Sequence, residues 1–477
     1  MLPPIVDNIS QSIGSTPMIR LTPQNKVNIL AKLEFTNPTG SVKDRLAKYL
    51  LDEHEKNNSV DKEIKTLIIP TSGNLGISIA TLAARRGYRI ISILPERTSN
   101  DRIALLKALG VEILRSPNEV KPDAAESAYS VAARLAEQLS DAVVMDETKL
   151  RDYKPYHDLA EEILQQTKMA IDFLFVGAES GAMLTGVARY LKDKIPELKV
   201  IGVEPTDSVL SGEQDKLANR YDWKIEDLGN NFVTKSLDKS IVDEWIKISD
   251  KEAFSAARRL IRDEGILCGP SSGAVVTAAA RHAQTVVSDH STHTFQSVVI
   301  LNDSAKNYTS TLLSDDWLFE NDLADDLMTH ELEYLSQSRY RAASVEDLQL
   351  PAAVTIPPTC TVGHAIDLML EREYSQLPVI NPLNRKLVGY VSLSSLQEHL
   401  VHNTADLSST VESCMFSFKK EGNKKYQVIT PDTSLADLAK FFEKNSFAVI
   451  TDANRKWCLG VATKYDLISF LHRRQFL

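Results

Sequence analysis

Cysteine is scarce, with four in 477 residues. Cys268, Cys360, Cys414 and Cys458 show neither paired metal-ligand spacing nor the density of a disulfide scaffold. No metal site is expected, and the four read as reduced thiols of a cytoplasmic protein. Long apolar runs are also lacking. No stretch approaches the roughly 18 residues that span a bilayer, and residues 1–10 hold Asp7 and two prolines where a secretory leader needs a continuous apolar segment. No membrane partner is expected. Glycine and proline, 19 of each, are too few for a collagen-like or disordered chain. A basic excess is missing too. The 54 Lys and Arg against 64 Asp and Glu leave a formal charge of −10, which argues against nucleic acid as a partner.

What is present is an ordinary globular balance, 43% apolar and 25% charged. This length suits on the order of two to four domains. From residue 28 to about 303, short β-rich runs (28–35, 66–70, 89–95, 142–146, 173–177, 200–203, 297–301) alternate with helical periodicity at 44–55, 101–109, 124–139 and 251–263. That alternation predicts an α/β fold with helices on both sheet faces. The pattern weakens after Ser304, and residues 315–327 carry six acidic side chains, so a linker is expected over 305–350. An imperfect repeat closes the chain: 353–400 and 428–471 each read strand, helix, strand, strand, helix. Two such copies pack on each other, because neither alone buries its apolar face.

Four segments can carry chemistry. In Gly40-Ser41-Val42-Lys43-Asp44-Arg45, Ser41 suits a helix N-cap and puts Lys43 in the first turn. There the helix dipole disfavours an ammonium and favours an amine nucleophile for Schiff-base chemistry. The alternative is an ordinary exposed lysine. In Thr71-Ser72-Gly73-Asn74-Leu75-Gly76, the glycines let the backbone approach a ligand and Asn74 can bond a ring hydroxyl, with a helix starting near Ile77. An ordinary capped turn fits equally. Residues 177–186 (GAESGAMLTG) can present backbone N–H groups to a phosphate, although Glu179 lies among them. Cys268-Gly269-Pro270-Ser271-Ser272-Gly273 precedes a small-residue helix. Each segment alone could be a plain loop.

In this order and spacing the four resemble the pyridoxal-phosphate β-replacement enzymes of cysteine metabolism, cysteine synthase and cystathionine β-synthase. The resemblance covers Ile13 to about Asp303 and opens on Ile13-Gly14-Ser15-Thr16-Pro17-Met18, similar to the family's I-G-N-T-P-L. The closing repeat resembles the regulatory pair named after cystathionine β-synthase, and enzyme followed by that pair resembles the fungal type. The resemblance implies an α/β, tryptophan-synthase-β-like (fold type II) enzyme of two subdomains over 1–304, the mobile one at about 45–145. An α+β tandem CBS pair over 351–477 follows. Pyridoxal phosphate is the implied cofactor. The fold starts too near Met1 for the family's heme-binding extension, so no heme is expected. By resemblance Lys43 binds the cofactor covalently, Asn74 contacts its ring oxygen, and Ser180, Gly181, Ala182 and Met183 form the phosphate loop. Ser271 faces the pyridine nitrogen. A neutral hydroxyl there gives a weaker electron sink than a carboxylate and favours β-elimination over transamination. Thr71, Ser72, Leu75, Glu147 and Asp227 occupy substrate-binding positions. In the family reaction Lys43 would remove the α-proton of serine, hydroxide would leave, and a thiol such as homocysteine would add. A homodimer or higher homo-oligomer is implied.

Departures cluster at this site. Leu75 stands in place of a threonine, Glu147 in place of a glutamine, and Asp227 in place of the first glycine of V-E-G-I-G. Glu179 to Met183 replace G-T-G-G-T. An ionised carboxylate about 4 Å from a substrate carboxylate costs about 4 kcal/mol at an effective dielectric of about 20, roughly a thousandfold in affinity. A raised carboxyl pKa or a cation such as Lys149 or Arg151 would relieve it. The expectation is preserved cofactor chemistry with rewritten substrate recognition. The alternatives are a cysteine-synthase-like or other specialised β-substitution enzyme, and a non-catalytic regulatory protein. In the tail, Thr463-Lys464-Tyr465-Asp466 resembles the pair's T-x-x-D, whose aspartate accepts from ribose hydroxyls. The first copy has Ser392-Leu393-Ser394-Ser395 there, so at most one adenosyl site is expected, or else a structural pair without ligand.

Overall fold

The structure, a computed structural model, describes residues 5–22, 27–57, 64–70, 73–96, 98–118, 120, 122–212, 223–286, 294–329, 343–372, 374–402, 404–418, 429–452 and 457–474. The chain divides into two compact units, Met1–Ser314 and Asp315–Leu477.

The first unit opens with β1 (Met18–Arg20) antiparallel to β2 (Val27–Leu33), then α1 (Lys43–Asn57). A four-stranded parallel sheet follows, built from β3 (Thr66–Ile69), α2 (Asn74–Ala83), β4 (Arg89–Pro95), α3 (Asn100–Ala108), β5 (Glu112–Ser116), α4 (Ala128–Gln138) and β6 (Ala142–Val144). Its strand order is β5-β4-β3-β6. The chain then passes through α5 (His157–Thr167), β7 (Phe173–Gly177), α6 (Ala182–Lys194), β8 (Lys199–Pro205), β9 (Glu244–Ile248), α7 (Asp250–Glu264), α8 (Pro270–Val286) and β10 (Phe295–Leu301). These return to the first sheet, ordered β1-β2-β10-β7-β8-β9, in which only β1 is antiparallel. The central strands read as continuous apolar runs because both their faces are covered; all four residues of β3 are buried. The α/β reading with two sheet-centred halves therefore holds.

One local expectation shifts and one holds. Helix α2 begins at Asn74 rather than near Ile77, directly after Gly73, whose φ of 141° a glycine adopts without strain. The Ser41 cap forms as expected, its Oγ accepting from the Lys43 N–H at 3.2 Å.

The second unit begins with α9 (Asp315–Glu320), inside the acidic stretch read as linker, where Leu318 and Phe319 are buried. The first repeat contains α10 (Val362–Arg372), β11 (Gln376–Ile380), β12 (Leu387–Ser392), α11 (Leu393–Val401) and the short β13 (Phe416–Ser417). The second contains α12 (Leu435–Phe442), β14 (Phe447–Thr451), β15 (Cys458–Thr463) and α13 (Lys464–Arg474). Among the described residues the opening strand of each repeat is one parallel bridge, Ile356 to Val379 and Ile429 to Ile450. Each repeat has its own apolar core, and the second also buries Ala343, Val345 and Leu348. The Tyr390 and Phe447 rings join the copies edge-on, 4.8 Å between centroids. Among the described residues no helix is long and apolar enough to cross a membrane.

Candidate active site

In the first unit the C-terminal ends of the parallel strands converge on one cleft, as open α/β sheets favour. Asn74 follows β3, Glu147 follows β6, the Glu179–Met183 segment follows β7, and Asn302 and Asp303 follow β10. Lys43, Asn74, Glu179, Ser180, Gly181, Met183 and Asp227 line the cleft together.

The amine of Lys43 lies 2.8 Å and 2.7 Å from the two carboxylate oxygens of Glu147, and 2.9 Å from Oε2 of Glu179. Its helix position predicts an amine that loses charge readily; the structure reverses that. Burial disfavours the ammonium, but Glu147 and Glu179 outweigh it and hold Lys43 well above the ordinary lysine range. Burial raises Glu147, Lys43 opposes, and Glu179 adds to the rise. The relief expected from Lys149 does not reach Glu147, since Lys149 pairs with Asp146 at 3.0 Å on the surface.

Asn74 donates its amide to Asp227 Oδ2 and, at 2.8 Å, to Asp303 Oδ2. Its carbonyl oxygen accepts from Asn307 at 3.2 Å. Asp227 keeps a left-handed φ of 57°, the conformation that suits the glycine expected there. The cation facing Asp227 is one the sequence reading missed. Arg102, on α3, is wholly buried and bonds Asp227 Oδ1 at 3.1 Å, Tyr308 Oη at 2.6 Å and Asp303 Oδ2 at 3.4 Å, with Glu226 at 3.2 Å. Burial pushes Asp227 up, but Arg102 prevails and its carboxyl sits below the usual range. Asp303 goes the other way: burial and neighbouring Asp227 raise it to about 7 despite Arg102. The only sequence signal for this cluster was a charged residue within an apolar helix pattern, which reads equally well as a solvated face.

Helix α6 starts after Gly181, whose φ of 77° turns the chain; a Cβ there would stand 2.5 Å from that of Leu237. Ser180 Oγ donates to Glu147 Oε2 at 3.0 Å, and Thr234 donates to the Ser180 carbonyl. Met183 and Ala182 are buried. Leu75 packs in the apolar core. Thr71 and Ser72 lie outside the described residues. Ser271 is fully buried, and its Oγ has no hydrogen-bond partner among the described residues. It follows Gly269, whose N–H bonds the Asp303 carbonyl at 2.9 Å.

These residues fit pyridoxal phosphate at three points. Lys43 supplies an amine, the start of α6 supplies backbone N–H groups for an anion, and the orphaned Ser271 hydroxyl awaits a neutral acceptor. The chain's own carboxylates already engage two of the groups concerned, the Lys43 amine and the Asn74 amide.

In the second unit, Asp466 Oδ2 accepts from the N–H and the Oγ1 of Thr463, at 2.7 Å and 2.9 Å, capping α13. Asp316 lies close enough that burial, Glu320 and Asp466 together push its carboxyl up to about 7. Ser392 merely caps α11, accepting from the Ser395 N–H at 3.1 Å.

Residues 9–301 match the family described as pyridoxal-phosphate dependent enzyme, and residues 345–402 and 422–473 each match the CBS domain. The chain is 38% identical over 480 residues to a cystathionine beta-synthase of Dictyostelium discoideum, covering 99% of this chain and 93% of the relative. It is 34% identical over 501 residues to a cystathionine beta-synthase of Saccharomyces cerevisiae, covering 97% of each. Among solved structures, the O-acetylserine dependent cystathionine beta-synthase from Helicobacter pylori superimposes with a TM-score of 0.58 at 32% identity. That match covers 65% of this chain and 99% of the other.

Proposed function

The chain belongs to the cystathionine β-synthase family of pyridoxal-phosphate-dependent enzymes, and on that premise we propose that it replaces the β-substituent of serine or an activated serine with a thiol such as homocysteine. The observation that carries this reading is the convergence of Lys43, Asn74 and the Ser180–Met183 loop, far apart in sequence, on one cleft. When bound, pyridoxal phosphate supplies an electron sink that stabilises negative charge at the substrate α-carbon. Lys43 Nζ binds the cofactor and serves as the base that takes and returns the α-proton. Ser271 Oγ hydrogen-bonds the ring nitrogen without charging it. The Ser180, Gly181, Ala182 and Met183 backbone holds the phosphate at the positive end of α6. By the resemblance Thr71, Ser72, Leu75, Glu147 and Asp227 hold substrate-binding positions, and the carboxylates of Glu147 and Asp227 favour a changed substrate.

The catalytic part of this reading spans 1–304, with 45–145 as the half that closes, and 351–477 is its regulatory pair. An adenosyl ligand at the second repeat is supported by the Thr463–Asp466 turn at the start of α13. Four free cysteines support a cytoplasmic location, and the resemblance supports a homodimer.

The test supplies the cofactor-loaded protein with serine or O-acetylserine together with homocysteine or sulfide and identifies products by mass spectrometry. Cystathionine or cysteine formation is expected. A loaded protein that turns over none of the four combinations would overturn the reading.

A further inference from the structure

The arrangement of two carboxylates around one ammonium has no part in the reaction just described. Lys43, Glu147 and Glu179 keep only 11%, 7% and 21% of their side-chain surface exposed, so water does little to weaken their contacts. The triad is also fixed in place. Ser180 Oγ donates to Glu147 Oε2 at 3.0 Å, and Ser236 Oγ holds the Glu147 carbonyl at 2.6 Å. The Asp227 carboxylate and the Tyr156 phenol also act on the amine, and both favour the ammonium.

We propose that Glu147 and Glu179 set this chain's affinity for pyridoxal phosphate by holding Lys43 as an ion-paired ammonium that must be released before the cofactor can be bound. The inference rests on the reading of Lys43 as the cofactor-binding lysine. A primary amine condenses with an aldehyde only when unprotonated. The ammonium first gives up one proton. Nitrogen then bonds to the carbonyl carbon, and its two remaining protons leave with the aldehyde oxygen as water. Glu147, already raised by burial and by Glu179, is placed to take the first proton. Glu179 acts a second time: it immediately precedes Ser180 in the loop that leads into α6, so a phosphate brought there meets a fixed negative charge. Both effects weaken uptake, and both depend on charge, which a glutamine of the same shape removes.

Equilibrium dialysis of the full chain against pyridoxal phosphate, followed by borohydride trapping and peptide mass mapping at Lys43, compares the wild type with Glu147→Gln, Glu179→Gln and the double variant. The double variant is expected to bind about tenfold or more tightly, and its uptake is expected to begin about one pH unit or more lower. Each single variant should move the same way by a smaller amount, which keeps the test valid should the double variant lose its far-ultraviolet circular dichroism. Equal dissociation constants across the pH series, or weaker binding by folded variants, would overturn the inference while leaving the cofactor reading intact. Absence of trapped cofactor at Lys43 in every protein would overturn both.

Discussion

Both terminal nitrogens of Arg102 bond the carboxylate of Asp227, in a place where neither side chain meets solvent to any useful extent. Arg102 comes from α3 of the four-stranded half, whereas Asp227, Asp303 and Tyr308 belong to the part of the unit built on the six-stranded sheet. The contact therefore fastens the two halves across the cleft. On the surface beside it, Asp101 accepts from Thr309 Oγ1 at 2.6 Å and from the Ser310 N–H at 2.8 Å.

A buried pair of this kind is costly to break from one side, because the surviving charge keeps its desolvation penalty. Arg102→Met should destabilise the first unit by about 3–5 kcal/mol. Adding Asp227→Gly should recover much of that loss, since it removes the stranded carboxylate and restores an unstrained residue at φ 57°. Urea unfolding of the full chain, followed by hydrogen exchange in α3, measures both. A double variant no better than Arg102→Met would show that the cost lies in packing rather than charge.

Asp303 gives the same network a pH dependence. Its folded value of about 7 lies above the ordinary unfolded carboxyl, so the folded chain holds a proton that the unfolded chain releases. The stabilisation is complete below about pH 3.9 and is lost as pH rises through about 7. Asp303→Asn cannot lose that proton. The difference in melting temperature between wild type and Asp303→Asn should move in favour of the variant from pH 5 to pH 8. A difference that stays constant over that range would refute the assignment.

Ser271 allows stability and ligand binding to be separated. Its hydroxyl is buried without a partner among the described residues, so Ser271→Ala removes an unsatisfied group and should leave the ligand-free protein within about 1 kcal/mol of wild type, or slightly more stable. The thermal shift produced by saturating pyridoxal phosphate should shrink in the same variant. A large loss of stability without cofactor would mean that the hydroxyl already has a structural partner.

The halves of the first unit were legible because parallel strands buried on both faces read as unbroken apolar runs, as in Leu67–Ile69. Two of the edge strands, β5 and β9, were not. In β5, Glu112 and Arg115 face solvent, and β9 carries Glu244 and Lys247, so neither offers an apolar run to read. The loops bearing Lys43, Asn74 and Ser180 were legible from glycine placement next to helix starts. Arg102 was not, because only the partners, some 125 residues and more away in sequence, distinguish a buried guanidinium from a solvated one. The charge state expected of Lys43 failed for a related reason: a helix terminus exerts a modest field, whereas two carboxylates within 2.9 Å exert a larger one.

In the second unit, the Asp466 carboxylate in the first turn of α13 accepts from both the N–H and the hydroxyl of Thr463, capping the helix start. Asp466→Ala should cost about 1 kcal/mol by losing that cap. The same carboxylate also raises Asp316, whose value of about 7 lies above its unfolded one, so the Asp316 contribution is present at low pH and fades as pH rises through about 7. Removing Asp466 removes a negative charge that opposes ionisation of Asp316. The two effects therefore add differently at different pH: near pH 5 the variant loses the cap and gains nothing, whereas near pH 8 it also escapes repulsion between two carboxylates. Hydrogen exchange at residues 463–468 of the full chain should show the larger loss of protection at the lower pH. Equal loss at both would mean that Asp466 caps the helix but has no electrostatic hold on Asp316.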